Sequence, residues 1–460
     1  MTTIDVGQAD LAQFDGQLIG RDHPEYDTAR RVYNAMIDRR PKLVARVRSA
    51  ADVAAVAEVA RRRDLLVAVR GGGHNGGGLG TCDDGVVIDL AGLNQVEVDV
   101  ERRTVRAGGG CTWGQVDQAT GAHGLATPSG IISTTGVGGL TLGGGLGHLT
   151  RAYGLAIDNL LSAEVVLADG RQVRASADEH PDLFWALRGG GGNFGVVTAF
   201  TFRLHDVSRF MAGPTFWSLE QGEQVLKTYR EFLPQAPRAL NGFFAYLTVP
   251  AGPPFPEVLH GRKVCGVVWA YVGDEADGAA AMAPMLDSLP EPLLHGPAAM
   301  PHAAMQSAFD ALYPKGHQWY WRADFVNEIP DEAVQIHQRF GAQLPSDLST
   351  MHLYPIDGAA RDVGPEDTPW GYRDATWGAV YAGVDPDPAN ADRIRQWSVD
   401  YFEALHPYSA GGAYVNMMMD EGEDRVRASY RHNYTRLAEI KAAYDPGNLF
   451  RVNQNIRPAR

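Results

Sequence analysis

The sequence predicts an α+β protein of at least two domains, one of them built around glycine-rich loops. The chain has 460 residues, more than a single hydrophobic core usually serves. Of its 53 glycines, 30 fall between Gly71 and Gly195, where short strand and helix patterns alternate. From about Phe210 the texture changes: glycine thins, prolines cluster at residues 250–256 and aromatic residues accumulate. A domain boundary near residue 206 follows.

The opening unit reads as a small α/β element. Residues 41–49 alternate as a strand does, residues 51–63 carry Val53, Val56, Val59 and Ala60 at helical spacing, and residues 65–69 form a short apolar strand running into Arg70 and Gly71. Residues 85–90, 95–100 and 104–107 read as further strands separated by turns, and 113–122 as a short helix. Asp169-Gly170 lies between two strand-like runs, 160–167 and 171–175, and suits a hairpin because this pair tolerates the positive φ of a tight turn. Pro181 opens a helix to residue 188, since the first turn of a helix has no use for the missing N–H. Residues 196–204 alternate as a strand. Trp319, Tyr320, Trp321, Tyr354, Trp370, Tyr372 and Trp377 then lie between Tyr313 and Tyr381, several in strand-like stretches where core and cross-strand packing is the usual role of aromatics.

Composition excludes several classes. A formal net charge of −14 argues against a partner recognised by its phosphate backbone, so no nucleic acid is expected. No run approaches the roughly 18 apolar residues of a membrane span, and residues 1–15 lack the charged and apolar regions of a secretory signal. A soluble, cytoplasmic protein is expected. Cys82, Cys111 and Cys265 are odd in number and widely spaced, which suits neither a disulfide framework nor a metal site.

Residues 71–76, GGGHNG, match G-x-G-x-x-G after a strand, but the chain continues GGLGTCDDG, which cannot supply the helix that a Rossmann site needs. Residues 190–195, GGGNFG, follow a helix and precede a strand, the reverse order. No Gly-Lys-Ser/Thr follows any block, which excludes a P-loop. Runs without Cβ nonetheless let successive N–H groups turn toward one anion and the backbone approach it closely. Residues 108–110, 136–139 and 143–147 repeat the feature, so the set points to a phosphate-bearing ligand.

At these residues the sequence resembles the vanillyl-alcohol oxidase and p-cresol methylhydroxylase superfamily, and within it the berberine bridge enzyme-like oxidases. VAVRGGGHNGGGLG is similar to the family's pyrophosphate loop, whose His, here His74, is joined to the flavin C8-methyl. GGGCTWG resembles its second attachment loop, whose Cys, here Cys111, is joined to ring carbon C6. TPSGIISTTGVGGLTLGGGLGHLTRAYGLAIDNL, WALRGGGGNFGVVTAF and YDPGNLFRVNQNIRP resemble the segments that wrap the ribityl chain, close the cofactor domain and return beneath the isoalloxazine. The resemblance implies FAD held by two covalent bonds. It implies cofactor contacts at Arg70, Gly71, Gly72, Gly73, His74, Asn75 and Gly76, at Cys111, and at Gly130, Ser133, Gly136, Gly138, Gly139, Gly143, Gly145, Gly147 and Asp158. Val166, Asn193, Gly195, Asn453 and Asn455 complete the set. It also implies a discontinuous FAD-binding domain of the p-cresol methylhydroxylase type, residues 1–205 and 411–460, around a substrate domain, 206–410, with an antiparallel sheet covered by helices.

The activity implied is hydride transfer from an alcohol, hemiacetal or amine-bearing carbon of a small molecule such as a sugar, glycoside or secondary metabolite to FAD, with O2 as electron acceptor. A dehydrogenase with another acceptor, or a non-catalytic flavin- or sugar-binding protein, are the alternatives. Removing the substrate's hydroxyl proton requires a base. Sugar-oxidising relatives place a tyrosine at the end of a Y-x-N-Y stretch, where this chain has Tyr414, Val415, Asn416 and Met417. Met417 cannot take a proton. Tyr414, Tyr372 and Tyr354 are therefore the candidate bases, with Arg322 or Arg373 to lower a phenol, and His352 and Asp357 as further candidates.

Overall fold

A computed structural model describes residues 14–460, so the segment inspected for a secretory signal lies almost wholly outside the described residues. The first sheet has the spatial order Gln17–Gly20, Leu43–Arg46, Val86–Asp89, Val67–Arg70, with the last three strands parallel. The parallel pairing sets Arg70 opposite Asp89, and their buried side chains join at 2.8 Å. That pair anchors the point where the strand gives way to the first glycine block. Ser49, at the end of the expected strand, instead caps the helix Ala50–Arg62. Its Oγ accepts from the Asp52 N–H at 3.1 Å while the Asp52 carboxylate accepts from the Ser49 N–H at 3.1 Å, a reciprocal cap worth ~1 kcal/mol.

The second sheet is wholly antiparallel, ordered Val96–Asp99, Thr104–Gly108, Val196–Arg203, Leu160–Val166, Gln172–Ser176. The Asp169-Gly170 hairpin closes it, with Asp169 Oδ1 accepting from the Arg171 N–H at 3.0 Å. No helix follows residues 71–76, and the block 190–195 lies between the helix Pro181–Leu187 and the strand Val196–Arg203. Both orders exclude a Rossmann unit. One helix had no sign in the sequence: Val137–Gly143, with three glycines in seven residues. Its Val137 and Thr141 are buried, so packing overrides a poor propensity.

The third sheet is antiparallel, with central strands Phe210–Ser218, Lys263–Val272, Leu240–Thr248, Thr350–Pro355, Trp377–Asp385 and Gln318–Val326 in that spatial order. Its two faces are both buried, and the two-residue period of a strand sorts the side chains between them. Met351, Leu353, Trp377, Ala379 and Tyr381 pack with Tyr229, Val334, Trp397 and Tyr401 of the covering helices. Trp319, Trp321, Ala323, Tyr354, Val380 and Ala382 face the opposite way, into the core shared with the glycine-rich segments. Among the described residues, no helix is long and apolar enough to cross a membrane.

Where the helix Trp113–Gly121 meets His302–Ser307, Asp117 is 2% exposed; its Oδ2 accepts from Gln306 Nε2 at 3.1 Å and its Oδ1 has no hydrogen-bond partner. Burial pushes its carboxyl up to about 7, and pushes the neighbouring His302 down to about 4. A carboxyl raised in the folded state contributes stability that is fully present below about pH 4 and lost as pH rises through about 7. Asp117→Asn is therefore expected to flatten the decline in melting temperature between mildly acidic and alkaline buffers. Parallel declines in both proteins would show that the carboxyl carries no such linkage.

Candidate active site

Two unlike walls face each other across a cavity of about 1920 Å³, counted with its open mouth.

One wall is backbone. Gly71, Gly72, Gly73, His74 and Asn75 form its first stretch, Gly130, Gly136, Gly138 and Gly139 its second, and Asn193, Gly195 and Asn453 its third. The N–H groups of Gly72, Gly73 and His74 have no acceptor among the described residues. Successive unpaired amides on a glycine turn are a ready site for an anion such as a pyrophosphate. A Cβ on Gly72 would lie 2.4 Å from the Gly136 N, and one on Gly136 2.2 Å from the Gly72 N, so the first two stretches meet backbone to backbone. The C-terminal tail is tied to the third. Asn453 Nδ2 donates to the Gly192 carbonyl at 2.9 Å, Asn193 Nδ2 to the Gln454 carbonyl at 3.2 Å, and the Ile456 N–H to Asn193 Oδ1 at 3.1 Å.

His74 projects from this wall. It stacks on Tyr33 with ring centroids 4.1 Å apart, and its Nε2 pairs with Thr134 Oγ1 at 3.1 Å. Nδ1 has no hydrogen-bond partner among the described residues. Burial pushes the imidazole down to about 4 despite a hydrogen bond to the Thr134 backbone that acts the other way, so the ring is neutral and nucleophilic at neutral pH. Nothing in the sequence marks Tyr33 as part of the site; it arrives from 41 positions upstream of His74.

The opposite wall is side chain. Trp319 and Trp321, Val380 and Ala382, and Thr350, His352 and Tyr354 come from alternate positions of three neighbouring strands of the large sheet. Tyr313, Val415, Asn416 and Met417 complete it. The lining holds no Asp or Glu among the described residues, and Arg70, its one Arg or Lys there, is already paired with Asp89.

The three tyrosines proposed as bases part company here. Tyr414 reaches the cavity, but its Oη already accepts from the Gly145 N–H at 3.0 Å and from Asn416 Nδ2 at 2.8 Å, and burial pushes it up to about 12. It stays protonated near neutrality and has only its O–H to offer. Tyr354 also lines the cavity, paired with His352 Nδ1 at 2.6 Å, and burial raises it well above 10. Tyr372 is not brought there. Its O–H donates to the Ala428 carbonyl at 2.9 Å, its ring stacks on Phe325 at 4.5 Å, and Arg431 covers its other side at 3.6 Å.

The charged candidates are also engaged elsewhere. Arg373 grips Asp158 with two contacts of 2.7 Å, which removes both from the site. Arg322 pairs with Glu421 at 3.1 Å and lies over Phe402, and Asp357 pairs with buried Arg151 at 2.7 Å.

Several expected cofactor contacts have structural work instead. The Ser133 N–H donates to Asp310 at 3.1 Å, Gly76 packs against Trp321, Gly143 against Asn416 and Gly147 against the Ser129 and Gly130 carbonyls. The Gly145 N–H holds Tyr414, Val166 lies in the core beneath the first sheet, and Asn455 lies outside the cavity lining with its Oδ1 buried. The largest departure concerns Cys111. It is fully buried, its Sγ lies 3.4 Å from the Gln95 carbonyl, it is not part of the lining, and burial raises its thiol. Thiolate is the nucleophilic form, so neither position nor ionisation favours reaction with a ligand in the cavity. Ile131 and Ile132 of the neighbouring loop face it instead.

Comparison with known proteins agrees with this architecture. Residues 41–176 match the family described as FAD binding domain, and residues 413–457 match that described as berberine and berberine like. The (R)-6-hydroxynicotine oxidase of Paenarthrobacter nicotinovorans is 30% identical over 465 residues, 96% of this chain and 97% of that one. The chain belongs to the berberine bridge enzyme-like FAD-linked oxidases. A solved structure of 6-hydroxy-D-nicotine oxidase from Arthrobacter nicotinovorans superimposes with a TM-score of 0.85 at 26% identity, covering 97% of this chain and 98% of that one. Glucooligosaccharide oxidase from Acremonium strictum, whose FAD is described as 6-S-cysteinyl, 8α-N1-histidyl, shares the fold with a TM-score of 0.85 at 23% identity over 98% of this chain and 99% of that one. This berberine bridge enzyme-like protein is thus an FAD-dependent oxidoreductase.

Gly72→Ala and Gly136→Ala each force backbone apart, and overpacking of this kind costs ~1–3 kcal/mol. Both variants are expected to unfold at lower denaturant concentration and to carry less FAD, measured by visible absorbance per chain. Full stability and full flavin content in both would contradict the contact.

Proposed function

We propose that this protein oxidises an uncharged small organic molecule at a carbon bearing a hydroxyl or amino group, with FAD joined to His74 as hydride acceptor and O2 as final electron acceptor. The observation that carries the proposal is the single cavity bounded by an anion-binding glycine wall, from which neutral His74 projects, and by an aromatic and apolar sheet wall. On this reading residues 1–205 and 411–460 together bind the cofactor and residues 206–410 the substrate. The hydrogen bonds of Asn193 and Asn453 that draw the tail back support that division.

Bound here, FAD supplies a two-electron acceptor that ordinary side chains lack. The chain supplies position and environment. The free amides of residues 72–74 hold phosphate oxygens. Tyr33 and Thr134 fix the His74 ring with its Nδ1 available, and a neutral imidazole is the form able to make a bond. The apolar lining keeps water from the reacting carbon. Among the described residues the lining itself carries no unpaired charge, so a substrate bearing a carboxylate, ammonium or phosphate against the sheet wall would lose hydration there uncompensated; Lys315 acts on the His74 side.

The resemblance implies a second bond at Cys111; we place the linkage at His74 alone, supported by the Cys111 Sγ turned toward the Gln95 carbonyl and by the raised thiol. On a denaturing gel, wild type and Cys111→Ala are expected to fluoresce as flavin-bearing bands and His74→Ala is not. Covalently bound flavin retained by His74→Ala and lost only in the double variant would restore the cysteine to the attachment. The oxidase assignment is checked separately: photoreduced protein mixed with aerated buffer is expected to regain its oxidised spectrum on the timescale of turnover. Reoxidation far slower than turnover with an artificial acceptor would make the protein a dehydrogenase.

A further inference from the structure

Thr350, His352 and Tyr354 occupy alternate positions of one strand and so share the face turned toward the cavity. His352 and Tyr354 are each 6% exposed and their Nδ1 and Oη lie 2.6 Å apart. His352 Nε2 makes no hydrogen bond among the described residues, yet it is not among the polar atoms sealed from solvent. It therefore opens on the cavity. Phe243 packs on both rings, at 4.9 Å and 5.1 Å, and holds the pair from behind.

We infer that His352 Nε2 takes the hydroxyl proton of an aryl alcohol bound against the sheet wall, with Tyr354 positioning the ring by accepting from the Nδ1–H. This rests on the flavin-oxidase reading above and assigns to that site its proton acceptor and substrate class. The other polar groups of the wall are unsuited to the task. Tyr414 already accepts two hydrogen bonds, Asn416 Nδ2 is spent on Tyr414 and on the Gly139 and Leu140 carbonyls, and Met417 has no basic atom. His74 stands on the glycine wall with its Nε2 at Thr134.

The step balances within the site. The alcohol O–H breaks and its proton passes to Nε2. The carbon's C–H breaks with its electron pair, leaving as hydride to the flavin, and the C=O of an aldehyde or ketone forms. The imidazolium then returns its proton to solvent. Burial pushes His352 down to about 3, so the ring is neutral before reaction. Such a weak base suffices because the hydroxyl becomes strongly acidic as the hydride departs.

The substrate class follows from what surrounds Nε2. Tyr313, Trp319, Trp321, Val380, Ala382 and Met417 present flat aromatic and apolar surface. Thr350, His352, Tyr354, Asn416 and the Tyr313 hydroxyl are few polar groups for the many hydroxyls of a sugar, and an unpaired buried hydroxyl is costly. A single hydroxyl on an aromatic molecule fits both facts.

The test uses flavin-loaded protein and 4-methoxybenzyl alcohol as probe. Anaerobic stopped-flow mixing is expected to bleach wild-type flavin, with cellobiose much slower. His352→Gln is expected to slow bleaching by ~100-fold or more, with flavin content and melting temperature unchanged and with the Kd for 4-methoxybenzaldehyde, by calorimetry, changed less than about fivefold. Added imidazole is expected to restore part of the rate to His352→Ala. Tyr354→Phe is expected to slow bleaching less than His352→Gln does and to change its solvent isotope effect. Unchanged bleaching in a folded, flavin-loaded His352→Gln overturns the assignment of the base. Failure of the alcohol to bleach the wild type, or faster bleaching by cellobiose, overturns the substrate class. A protein that binds no flavin fails at the earlier reading instead.

Discussion

Gly72 and Gly136 meet with no side chain between them, and most of the site is arranged around that contact. A Cβ on either would lie within 2.4 Å of the other's backbone nitrogen. Beside it, the amides of residues 72–74 have no acceptor among the described residues. The contact brings Thr134, two residues before Gly136, within 3.1 Å of His74 Nε2. It also positions the start of the helix Val137–Gly143, which glycine content alone would never form. The cost of glycine in these segments is conformational entropy, offset by packing on all sides and, in the loaded protein, by the cofactor.

The large sheet solves a different problem, that of being buried on both faces while offering only one of them to a ligand. Odd and even positions of Thr350–Pro355 and Trp377–Asp385 divide cleanly. Met351, Leu353, Ala379 and Tyr381 go to the helices, and His352, Tyr354, Val380 and Ala382 go to the cavity side. A one-residue slip in register would exchange the two sets. The site's chemistry is therefore protected by the same apolar contacts that hold the covering helices in place.

Burial also decides which titratable groups remain able to react. Tyr414 and Tyr354 are pushed upward and stay protonated, whereas His74 and His352 are pushed downward and stay neutral. Phenols so placed keep their proton; imidazoles so placed keep a ring-nitrogen lone pair able to take a proton or form a bond. Arginines that look, along the chain, like neighbours able to lower a phenol are instead consumed in pairs, Arg373 with Asp158 and Arg322 with Glu421. Such pairing cannot be read from spacing, because the partners of Arg373 and Asp158 are separated by 215 positions.

By itself the sequence determined the features that are local. Strand and helix periods, the Asp169-Gly170 hairpin, the failed Rossmann contexts and the family motifs around His74 and at residues 444–458 all depend on near neighbours, and the elements they predict are present in the fold. It identified the glycine wall for the same reason: a Cβ-free run is visible wherever it stands. Only the tertiary structure decided what each isolated side chain faces. It turned Cys111 toward Gln95, withdrew Tyr372 and Asp158 into packing and pairing, brought Tyr33 beneath His74, and set the second wall from three strands far apart in the chain. The physical reason is that a motif specifies backbone path, whereas the reach and ionisation of a side chain depend on whatever folds against it.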